Sequence, residues 1–482
     1  MTRQSRVARH DSERPVPQSS GPRHPEPDTR FAAAVFVCAF ALYLKTLTPA
    51  IGPTDSGELT SAAWSLGNAH PPGFPFFLIL THLFTWLPVG SIAVRTNVAT
   101  AFFAAVACAL VALAAAEILL MPRAMPAATA PAQEKRSKKK RARTKESDGR
   151  GRTDRTGRTG ESDLRGPALR GPSSWVVALI MLTTGLLFAF SRTLWQFATV
   201  TEVYAINSAL MAGVAWGMLR WARTREVRWL YAAALLFGLG LCVHHVTIGT
   251  GAVAIAVLIT RVAGIRFWRS RTTVVAALLL AAGLLVYAYL PIAASRKPVM
   301  NWGDPASLSA VWDHVTGKQY RTYIKTSEEQ SSAQLDRYVG IVGRELGPPW
   351  LPLVLLIAAA GIVLLFIRLR TIFWYVVLFM IGNAAWFAIY PITNDTEAYA
   401  IPTFIAVLFA FAFGASSIAE LASGERGRRI AAGAMLALPL ISLVTTYPFR
   451  DRSRYWVSHD YAENGLRSMG LNALMLTGDW QL

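Results

Sequence analysis

Long apolar runs separated by short polar or basic stretches follow one another along most of the chain. A run of about twenty apolar residues is long enough to cross the ~30 Å hydrocarbon core of a bilayer as a helix. The pattern therefore predicts an all-α polytopic membrane protein. We predict eleven membrane-spanning helices, at about 31–49, 92–121, 174–190, 204–221, 229–243, 246–262, 272–290, 350–367, 371–390, 399–418 and 430–447.

The positions of Lys and Arg predict how these helices are oriented. Basic residues favour the cytoplasmic side of short loops. They cluster at 1–30, 122–172, 220–228, 261–271, 368–370 and 425–429, and the predicted helices alternate between these clusters. One more apolar run, 73–88, would break the alternation. Because it is short and holds three Gly or Pro residues, we predict an interfacial or re-entrant helix there.

These boundaries divide the chain into seven predicted regions. They are a disordered basic cytoplasmic N-terminus (1–30), the first helices with the first outer loop (31–121), a disordered basic cytoplasmic loop (122–172), a transmembrane core (173–290), a long outer loop (291–349), the C-terminal transmembrane helices (350–447) and an extracytoplasmic tail (448–482).

Composition supports the membrane assignment and locates the charge. Hydrophobic residues make up 53% of the chain and charged residues 16%, whereas soluble domains hold about 45–50% and about 25%. The net charge is +19. Residues 1–30 hold six Arg against four acids and residues 122–172 hold fifteen Lys or Arg against six acids. No aromatic platform accompanies the basic loop, so we expect lipid headgroups rather than nucleic acid beside it. The three Cys residues all lie in apolar runs and indicate no disulfide framework.

The predicted topology places most unexplained polar residues on the outer side. Ionisable groups at the membrane edge are costly and commonly functional. Because these residues come from separate loops and helix ends, we expect them to converge on one site. They are Asp55, Glu58, His70, Arg95, Glu202, His244, His245, Trp302, Asp304, Asp395 and Glu397.

The first outer loop, PTDSGELTSAAWSLGNAHPPGFP (53–75), is the most informative segment. Apolar residues at helical spacing between Leu59 and Leu66 predict a short amphipathic helix on the membrane surface. Asp55 and Glu58 at its start could form a capping box. They could equally supply carboxylates for general-base chemistry. The prolines after His70 restrict its backbone to an extended conformation, so the imidazole would be held firmly.

Other outer segments carry weaker signals, each with a structural alternative. Glu202 in TVTEVYAIN (199–207) could simply complement a helix dipole. His244 and His245 are predicted at an outer turn, where metal binding is possible but no third ligand stands at a recognisable spacing. The loop 291–349 should contain an amphipathic helix from Leu308. Asp395 and Glu397 in PITNDTEAY (391–399) are expected to cap a helix.

Several motifs in this order resemble the GT-C superfamily of membrane glycosyltransferases, in particular its protein O-mannosyltransferase-like family. They are DSGEL (55–59), HPPGFP (70–75), TEVYAIN (201–207), GLGLCVHH (238–245), YLPI (289–292), NWGDP (301–305) and the segment from Tyr461 to Trp480. The resemblance implies a polyprenyl-phosphate-linked sugar as donor and transfer with inversion to an acceptor hydroxyl on the extracytoplasmic side. It implies Asp55 as the base, Glu58 as its assistant and His70 facing the donor phosphate or the sugar.

We therefore predict a glycosyltransferase that moves a sugar, mannose as first candidate, to an exported protein or a glycolipid. Asp55 and Glu58 are the predicted catalytic residues; a divalent metal is possible, but no metal ligand is assigned. The expected location is the inner membrane of a bacterium, with the site on the extracytoplasmic side. The predicted substrate-binding residues are His70, Arg95, Glu202, Tyr204, Asn207, His244, His245, Trp302 and Asp304.

Two departures from the family qualify this prediction. Relatives usually carry Arg after the L-P-I sequence, where this chain has Ala293, so Arg192, Arg296 or Arg321 would have to contact the phosphate. Relatives also tend to continue beyond the TGDW segment into a soluble domain, which implies a separate partner that holds the acceptor, or a fragment.

Two other functions remain open from the residues alone. One is a transporter of lipid-linked sugars or small solutes, which should show inverted repeats and midplane charges. The other is an inactive membrane scaffold for an exported protein.

Overall fold

The structure is a computed structural model that describes residues 25–121, 172–324, 327–348, 352–390, 395–470 and 473, without the side chains of 322–324. Within these ranges all regular secondary structure is helical, so the predicted all-α class is confirmed. The predicted disorder of 1–30 and 122–172 concerns mostly residues outside the described ranges, although α1 begins at Thr29 within the first of these regions. Most of the tail beyond 470 also lies outside the described ranges.

The described helices are, in chain order, α1 (Thr29–Lys45), α2 (Ser56–Ser65), α3 (Pro75–Phe84), α4 (Ile92–Leu119), α5 (Ser174–Ala189), α6 (Arg192–Ala198), α7 (Val203–Thr224), α8 (Val227–Gly249), α9 (Ala252–Ala263), α10 (Arg271–Leu284), α11 (Tyr289–Ser295), α12 (Leu308–Val315), α13 (Glu328–Glu345), α14 (Leu353–Arg368), α15 (Arg370–Ile389), α16 (Thr396–Tyr399), α17 (Ile401–Glu420), α18 (Gly424–Ala434), α19 (Ala437–Arg450) and α20 (Val457–Arg467). Short 3₁₀ helices occupy Ile265–Arg269, Leu285–Ala288 and Lys318–Ile324.

Six helical spans in the described part are long and apolar enough to cross a membrane. They are Ile92–Leu119, Val227–Gly249, Arg271–Ser295, Arg370–Ile389, Ile401–Glu420 and Gly424–Arg450. A seventh span would be the pair α5 and α6, which is bent by 64° between its two helices. The chain is thus an integral membrane protein, and the count of eleven crossings stays a prediction.

The extra apolar run of the first loop forms a short helix. Helix α3 has ten residues, which at ~1.5 Å per residue gives about 15 Å, half the thickness of the hydrocarbon core. This length suits the interfacial or re-entrant helix expected at 73–88. Helix α3 packs beside α2 and against α4 and α8.

Small residues allow helices α14 and α17 to approach each other closely. Helix α17 is almost wholly buried and crosses α14 at Gly361 and Gly414. A Cβ atom on Gly361 would lie 1.9 Å from the carbonyl oxygen of Ala410, and one on Gly414 would lie 2.3 Å from that of Ile357. Only glycine fits such a crossing, where the two backbones touch.

Most of the candidate functional residues collect at one end of the bundle, which we call the site end. Here α1 ends, α7 begins and α19 ends. Backbone hydrogen bonds join these ends, from Thr48 to Thr199 and from Arg452 to Thr46. The first loop and the long loop also meet here, because Asn68 exchanges backbone hydrogen bonds with Met300 and Trp302. The site end is therefore built from segments far apart in the sequence.

Candidate active site

A cavity of about 230 Å³ lies at the site end and receives side chains from widely separated segments. Five of the predicted functional residues line it together, as expected from the sequence. They are Asp55, His70, Tyr204, His244 and His245. The remaining lining residues include Phe74, Thr316, Gly317, Tyr320, Arg321, Trp386, Tyr390, Asp395 and Tyr399.

Asp55, His70 and Glu58 form a connected group on one wall of the cavity. Helix α2 begins at Ser56, but the side chain of Asp55 makes no capping hydrogen bond. Glu58 accepts a hydrogen bond from the backbone N–H of His70 at 2.5 Å, and its other oxygen lies 2.8 Å from Nδ1 of the ring. The Nε2 atom of His70 lies 3.7 Å from Oδ2 of Asp55. The capping-box alternative is therefore wrong, since Glu58 serves His70 instead of the helix start.

The charge of His70 follows from these contacts. Burial by itself would lower the pKa of the imidazole, but the hydrogen bond and charge of Glu58, together with the charge of Asp55, raise the pKa above its usual value. These contacts favour the protonated ring, which stands between two carboxylates. Its positive charge favours the ionised form of Asp55.

A second carboxylate group surrounds Asp55. Oxygens of Asp55, Glu202 and Asp395 all lie within 4.8 Å of one another. Glu202 is 1% exposed and accepts a hydrogen bond from Thr54 at 2.9 Å. Burial and the neighbouring carboxylates raise the pKa of Glu202 well above its usual value and that of Asp395 to about 7. The raised pKa values favour the protonated form of Glu202 and, below about pH 7, that of Asp395.

The same three side chains could instead hold a divalent cation. Carboxylate oxygens are the donors that Mg²⁺, Ca²⁺ and Mn²⁺ prefer, and the spacing of the three oxygens is short enough for one ion to reach them all.

The two adjacent histidines reach the cavity through a break in a helix. The prediction of a turn at His244 and His245 is wrong, since α8 continues to Gly249 and the turn lies at Thr250 and Gly251. Within α8, His244 has non-helical dihedral angles, φ −148° and ψ 84°. On a regular helix, neighbouring side chains diverge by about 100°. The break accounts for both imidazoles lining one cavity.

A chain of hydrogen bonds fixes the ring of His244. The side-chain amide of Asn207 donates to the hydroxyl of Thr247 at 2.6 Å, and this hydroxyl lies 3.0 Å from Nδ1 of His244. The ring also contacts Tyr204 and Tyr399, with centroid distances of 5.4 Å and 5.2 Å. Asn207 therefore acts from behind the cavity wall.

Arg321 is the one of the three substitute arginines that lines the cavity. Its guanidinium donates to the hydroxyl of Thr316 at 2.6 Å. Arg296 instead donates to the carbonyl of Leu66, and the guanidinium of Arg192 lies beside the ring of Phe449. The structure thus places Arg321 where a phosphate contact is possible.

Other predicted site residues do not line this cavity. Arg95 donates to the backbone carbonyls of Thr85, Val89 and Gly90 and so closes the end of α3. Asp304 is exposed and accepts from the side chain of Asn301. Trp302 lies nearer, with its ring 6.4 Å from that of His70.

Sequence reasoning missed several residues that line the cavity. Tyr320, Trp386, Tyr390 and Tyr399 were not assigned to the site; Asp395 was among the polar residues expected to converge there, but helix capping was the role preferred for it. Aromatic residues at the ends of apolar runs are common in membrane proteins. The carboxylates of the NDTEAY segment were therefore the only sequence signal that pointed to this part of the cavity.

Comparison with known proteins agrees with this architecture. Residues 55–264 match the family model described as the Protein O-mannosyl-transferase TMEM260 N-terminal domain. Protein O-mannosyl-transferase TMEM260 of Mus musculus is 26% identical over 310 residues, which are 63% of this chain and 36% of the mouse protein. The chain thus spans about a third of the length of that relative. The fold is also similar to a crystal structure of ArnT from Cupriavidus metallidurans bound to undecaprenyl phosphate. The alignment covers 93% of this chain and 82% of the ArnT chain, with 11% sequence identity and a TM-score of 0.55.

The predicted resemblance is confirmed. The chain has a GT-C fold, and its first half is similar to the protein O-mannosyltransferase-like family indicated by the DSGEL and HPPGFP motifs. The family match begins at Asp55, so it includes the carboxylates of the first loop, the start of α7 and both histidines of α8.

Proposed function

We propose that this protein transfers a sugar, mannose as first candidate, from a polyprenyl phosphate to a hydroxyl group of an exported protein. The observation that carries the proposal is the single cavity lined by Asp55, His70, His244 and Arg321. It combines a candidate base with a candidate phosphate ligand at one end of a membrane helix bundle. The names of the two relatives, an O-mannosyl-transferase and a protein bound to undecaprenyl phosphate, support the same reaction class.

The reaction requires few groups. The acceptor oxygen attacks the anomeric carbon while its proton passes to the carboxylate of Asp55. The bond from this carbon to the phosphate oxygen breaks, and its electron pair leaves with the phosphate, so the sugar carbon is inverted. A positioned general base contributes roughly 10²–10⁴ in rate, and bringing the two substrates together supplies much of the remainder.

The neighbours of Asp55 suit the role of base. A protonated His70, 3.7 Å away, would favour a negative charge on Asp55, whereas the raised pKa values of Glu202 and Asp395 favour their protonated forms. Among the three carboxylates, ionisation is thereby favoured at Asp55. Glu58 positions His70 and does not touch the reacting atoms.

Unsatisfied polar atoms in the cavity wall point to a polar ligand. Nδ1 of His245 and the indole Nε1 of Trp386 are both buried without a hydrogen-bond partner among the described residues, and both residues line the cavity. A buried donor left unpaired costs about 1–3 kcal/mol. The hydroxyl and phosphate groups of the donor would supply the missing partners, with Arg321 on the phosphate.

A divalent cation is compatible with the carboxylate group but carries no step in this proposal. Asp55, Glu202 and Asp395 would hold it, and it would neutralise the phosphate charge when bound.

The proposal is tested with purified protein in lipid nanodiscs and polyprenyl-phosphate mannose carrying a radiolabel. We expect the wild type to transfer label to hydroxyl-containing peptides, and Asp55→Asn to lose roughly 10²–10⁴ of the rate. Because the carboxamide has nearly the same shape, insertion and thermal stability should be preserved. Full activity of Asp55→Asn would exclude Asp55 as the base, and no transfer by the wild type would contradict the proposed function.

A further inference from the structure

A helix outside the catalytic cavity is joined to the cavity wall by buried polar side chains. Helix α13 lies in the long loop 291–349, and its buried residues are Tyr338, Ile341 and Glu345. Their spacing of three and four positions places them on one face of the helix. Two of the three are polar, and neither of these lines the cavity. A buried polar group without a hydrogen bond is costly, so both need partners on neighbouring helices.

Glu345 fixes the C-terminal end of α13. Its carboxylate accepts hydrogen bonds from the backbone N–H and from the hydroxyl of Thr193, both at 2.7 Å. Thr193 lies in the first turn of α6, where backbone N–H groups have no partner within the helix. Since both carboxylate oxygens are bonded, α13 is held against the start of α6. Tyr338 lies about two turns earlier on the same face of α13.

A chain of hydrogen bonds leads from Tyr338 to the backbone of Tyr399. The hydroxyl of Tyr338 lies 2.5 Å from the hydroxyl of Thr403 on α17. The Thr403 hydroxyl donates to Oδ1 of Asn383 on α15 at 2.8 Å. The side-chain amide of Asn383 donates to the carbonyl oxygen of Tyr399 at 2.8 Å. Side chains from three helices thus end on one residue of the cavity wall.

The last member of the chain fixes the direction of every hydrogen bond in it. A carbonyl oxygen can only accept, so the amide nitrogen of Asn383 must face Tyr399 and the amide oxygen must face Thr403. The Thr403 hydroxyl then donates to that oxygen and accepts from the hydroxyl of Tyr338. Asn383 and Thr403 are 0% and 1% exposed. A fully bonded and buried network of this kind specifies one arrangement of the helices that contribute to it.

Tyr399 contacts the histidine wall of the cavity. Its side chain lines the cavity, and its ring centroid lies 5.2 Å from that of His244. Tyr399 is the last residue of α16, which has only four residues. A helix this short contributes little stability of its own. The position of Tyr399 therefore depends on contacts from other helices, and the bond from Asn383 supplies one of them.

We propose that Tyr338 and Asn383 are positioning residues that hold the ring of Tyr399 in the cavity wall. The ring in turn packs against His244, which faces the donor in the proposed function. The inference rests on that function and adds two residues that act on the reaction without touching a substrate. Sugar transfer should then depend on a tyrosine hydroxyl that lies outside the cavity.

Three variants test the network, and one of them is a control. Asn383→Leu removes the amide that bonds Tyr399 while keeping a side chain of similar size. Tyr338→Phe removes only the hydroxyl, so the ring contact with Phe387 remains. Tyr43→Phe is the control, because it removes another buried hydroxyl, which donates to the carbonyl of Ala189 at 2.8 Å. Neither partner of that bond lines the cavity.

The full chain in lipid nanodiscs carries 3-fluorotyrosine at position 399, and two quantities are measured. One is the ¹⁹F chemical shift of this ring, and the other is kcat for sugar transfer. We expect Asn383→Leu to lower kcat roughly tenfold and Tyr338→Phe roughly fivefold, because a displaced group in an active site costs rate. Both should shift the ¹⁹F resonance. Tyr43→Phe should change neither quantity, even where its melting temperature falls as far as that of Tyr338→Phe.

A double-mutant cycle separates positioning from a general loss of stability. In a Tyr399→Leu background the ring is absent, so Asn383→Leu and Tyr338→Phe should each lower kcat by less than about twofold. Rate losses as large as in the wild-type background would overturn the inference. An unchanged ¹⁹F resonance in both network variants, or an equal loss of kcat in Tyr43→Phe, would overturn it as well. If the resonance shifts as expected but the wild type transfers no sugar, the proposed function is contradicted and the link between α13 and Tyr399 is supported.

Discussion

Replacing Glu58 by Gln tests how the cavity is charged. The variant keeps an oxygen acceptor for the backbone N–H of His70 but removes the negative charge that lies 2.8 Å from Nδ1. Both side chains are largely buried, at 4% and 11% exposure, so solvent screens this interaction little. We therefore expect the fold to persist and the protonation of His70 to change.

The size of the effect follows from the lost hydrogen bond. A hydrogen bond to a charged group contributes about 1.5–3 kcal/mol, which corresponds to about 1–2 pKa units at 1.36 kcal/mol per unit. Burial then dominates in the variant, and it lowers the pKa of the imidazole. His70 should lose its proton at a pH at least about one unit lower than in the wild type.

The assay is the pH dependence of kcat/KM for sugar transfer, which reports the ionisable groups of the free enzyme. Wild-type activity should fall as pH rises through the elevated pKa of His70, because the neutral ring no longer offers a positive charge to the donor phosphate in the cavity. In Glu58→Gln this alkaline limb should move down by about one unit or more. Glu425→Gln is the control, since it removes an exposed carboxylate paired with Arg429. An alkaline limb at the same pH in Glu58→Gln and the wild type would refute the reasoning.

Three further variants test separate parts of the site. Thr247→Val breaks the link between Asn207 and His244; we expect roughly a 10-fold to 100-fold loss of kcat with normal membrane insertion, and an unchanged kcat would contradict the positioning role. Arg321→Ala should raise the KM for the donor about tenfold or more, whereas Arg296→Ala, which affects a residue outside the cavity, should not; equal effects on KM would argue against a phosphate contact. Asp395 holds a proton in the folded protein because burial and its carboxylate neighbours raise its pKa from 3.8 to about 7. Stability should therefore fall as pH rises between about 4 and 7, and Asp395→Asn should flatten the change in melting temperature; an unaltered pH profile would exclude this proton.

Local patterns predicted much of the fold and the position of the central carboxylate. Apolar spacing in the first loop predicted α2, which buries Leu59, Ala62 and Ala63 as expected. Apolar spacing from Leu308 likewise predicted α12. Both helices depend on contacts between residues a few positions apart. The spacing of apolar residues in a single sequence indicates such contacts directly.

Longer-range contacts account for the errors. Glu58 was predicted to be catalytic, with a capping box as the alternative; its contact with His70, twelve residues away, lies beyond the reach of a capping motif and could not be inferred from local spacing. The two histidines of α8 looked like a turn, because a polar pair interrupts an apolar run in the same way whether the helix ends or only breaks. Asn207 and Thr247 stabilise that break from two different helices. Asp395 lies close to Asp55 and Glu202 only in the folded chain, because the three residues are far apart in the sequence.

The most direct test of the central claim is a structure of the protein with a non-hydrolysable polyprenyl-phosphonate analogue of the donor. The base should lie within ~3 Å of the acceptor oxygen and that oxygen within ~3.5 Å of the anomeric carbon, so the carboxylate of Asp55 should lie about 6 Å or less from this carbon. The phosphonate should contact Arg321 or the histidines of α8. A headgroup bound elsewhere, or an anomeric carbon well beyond that distance from Asp55, would contradict the proposal that this cavity transfers the sugar.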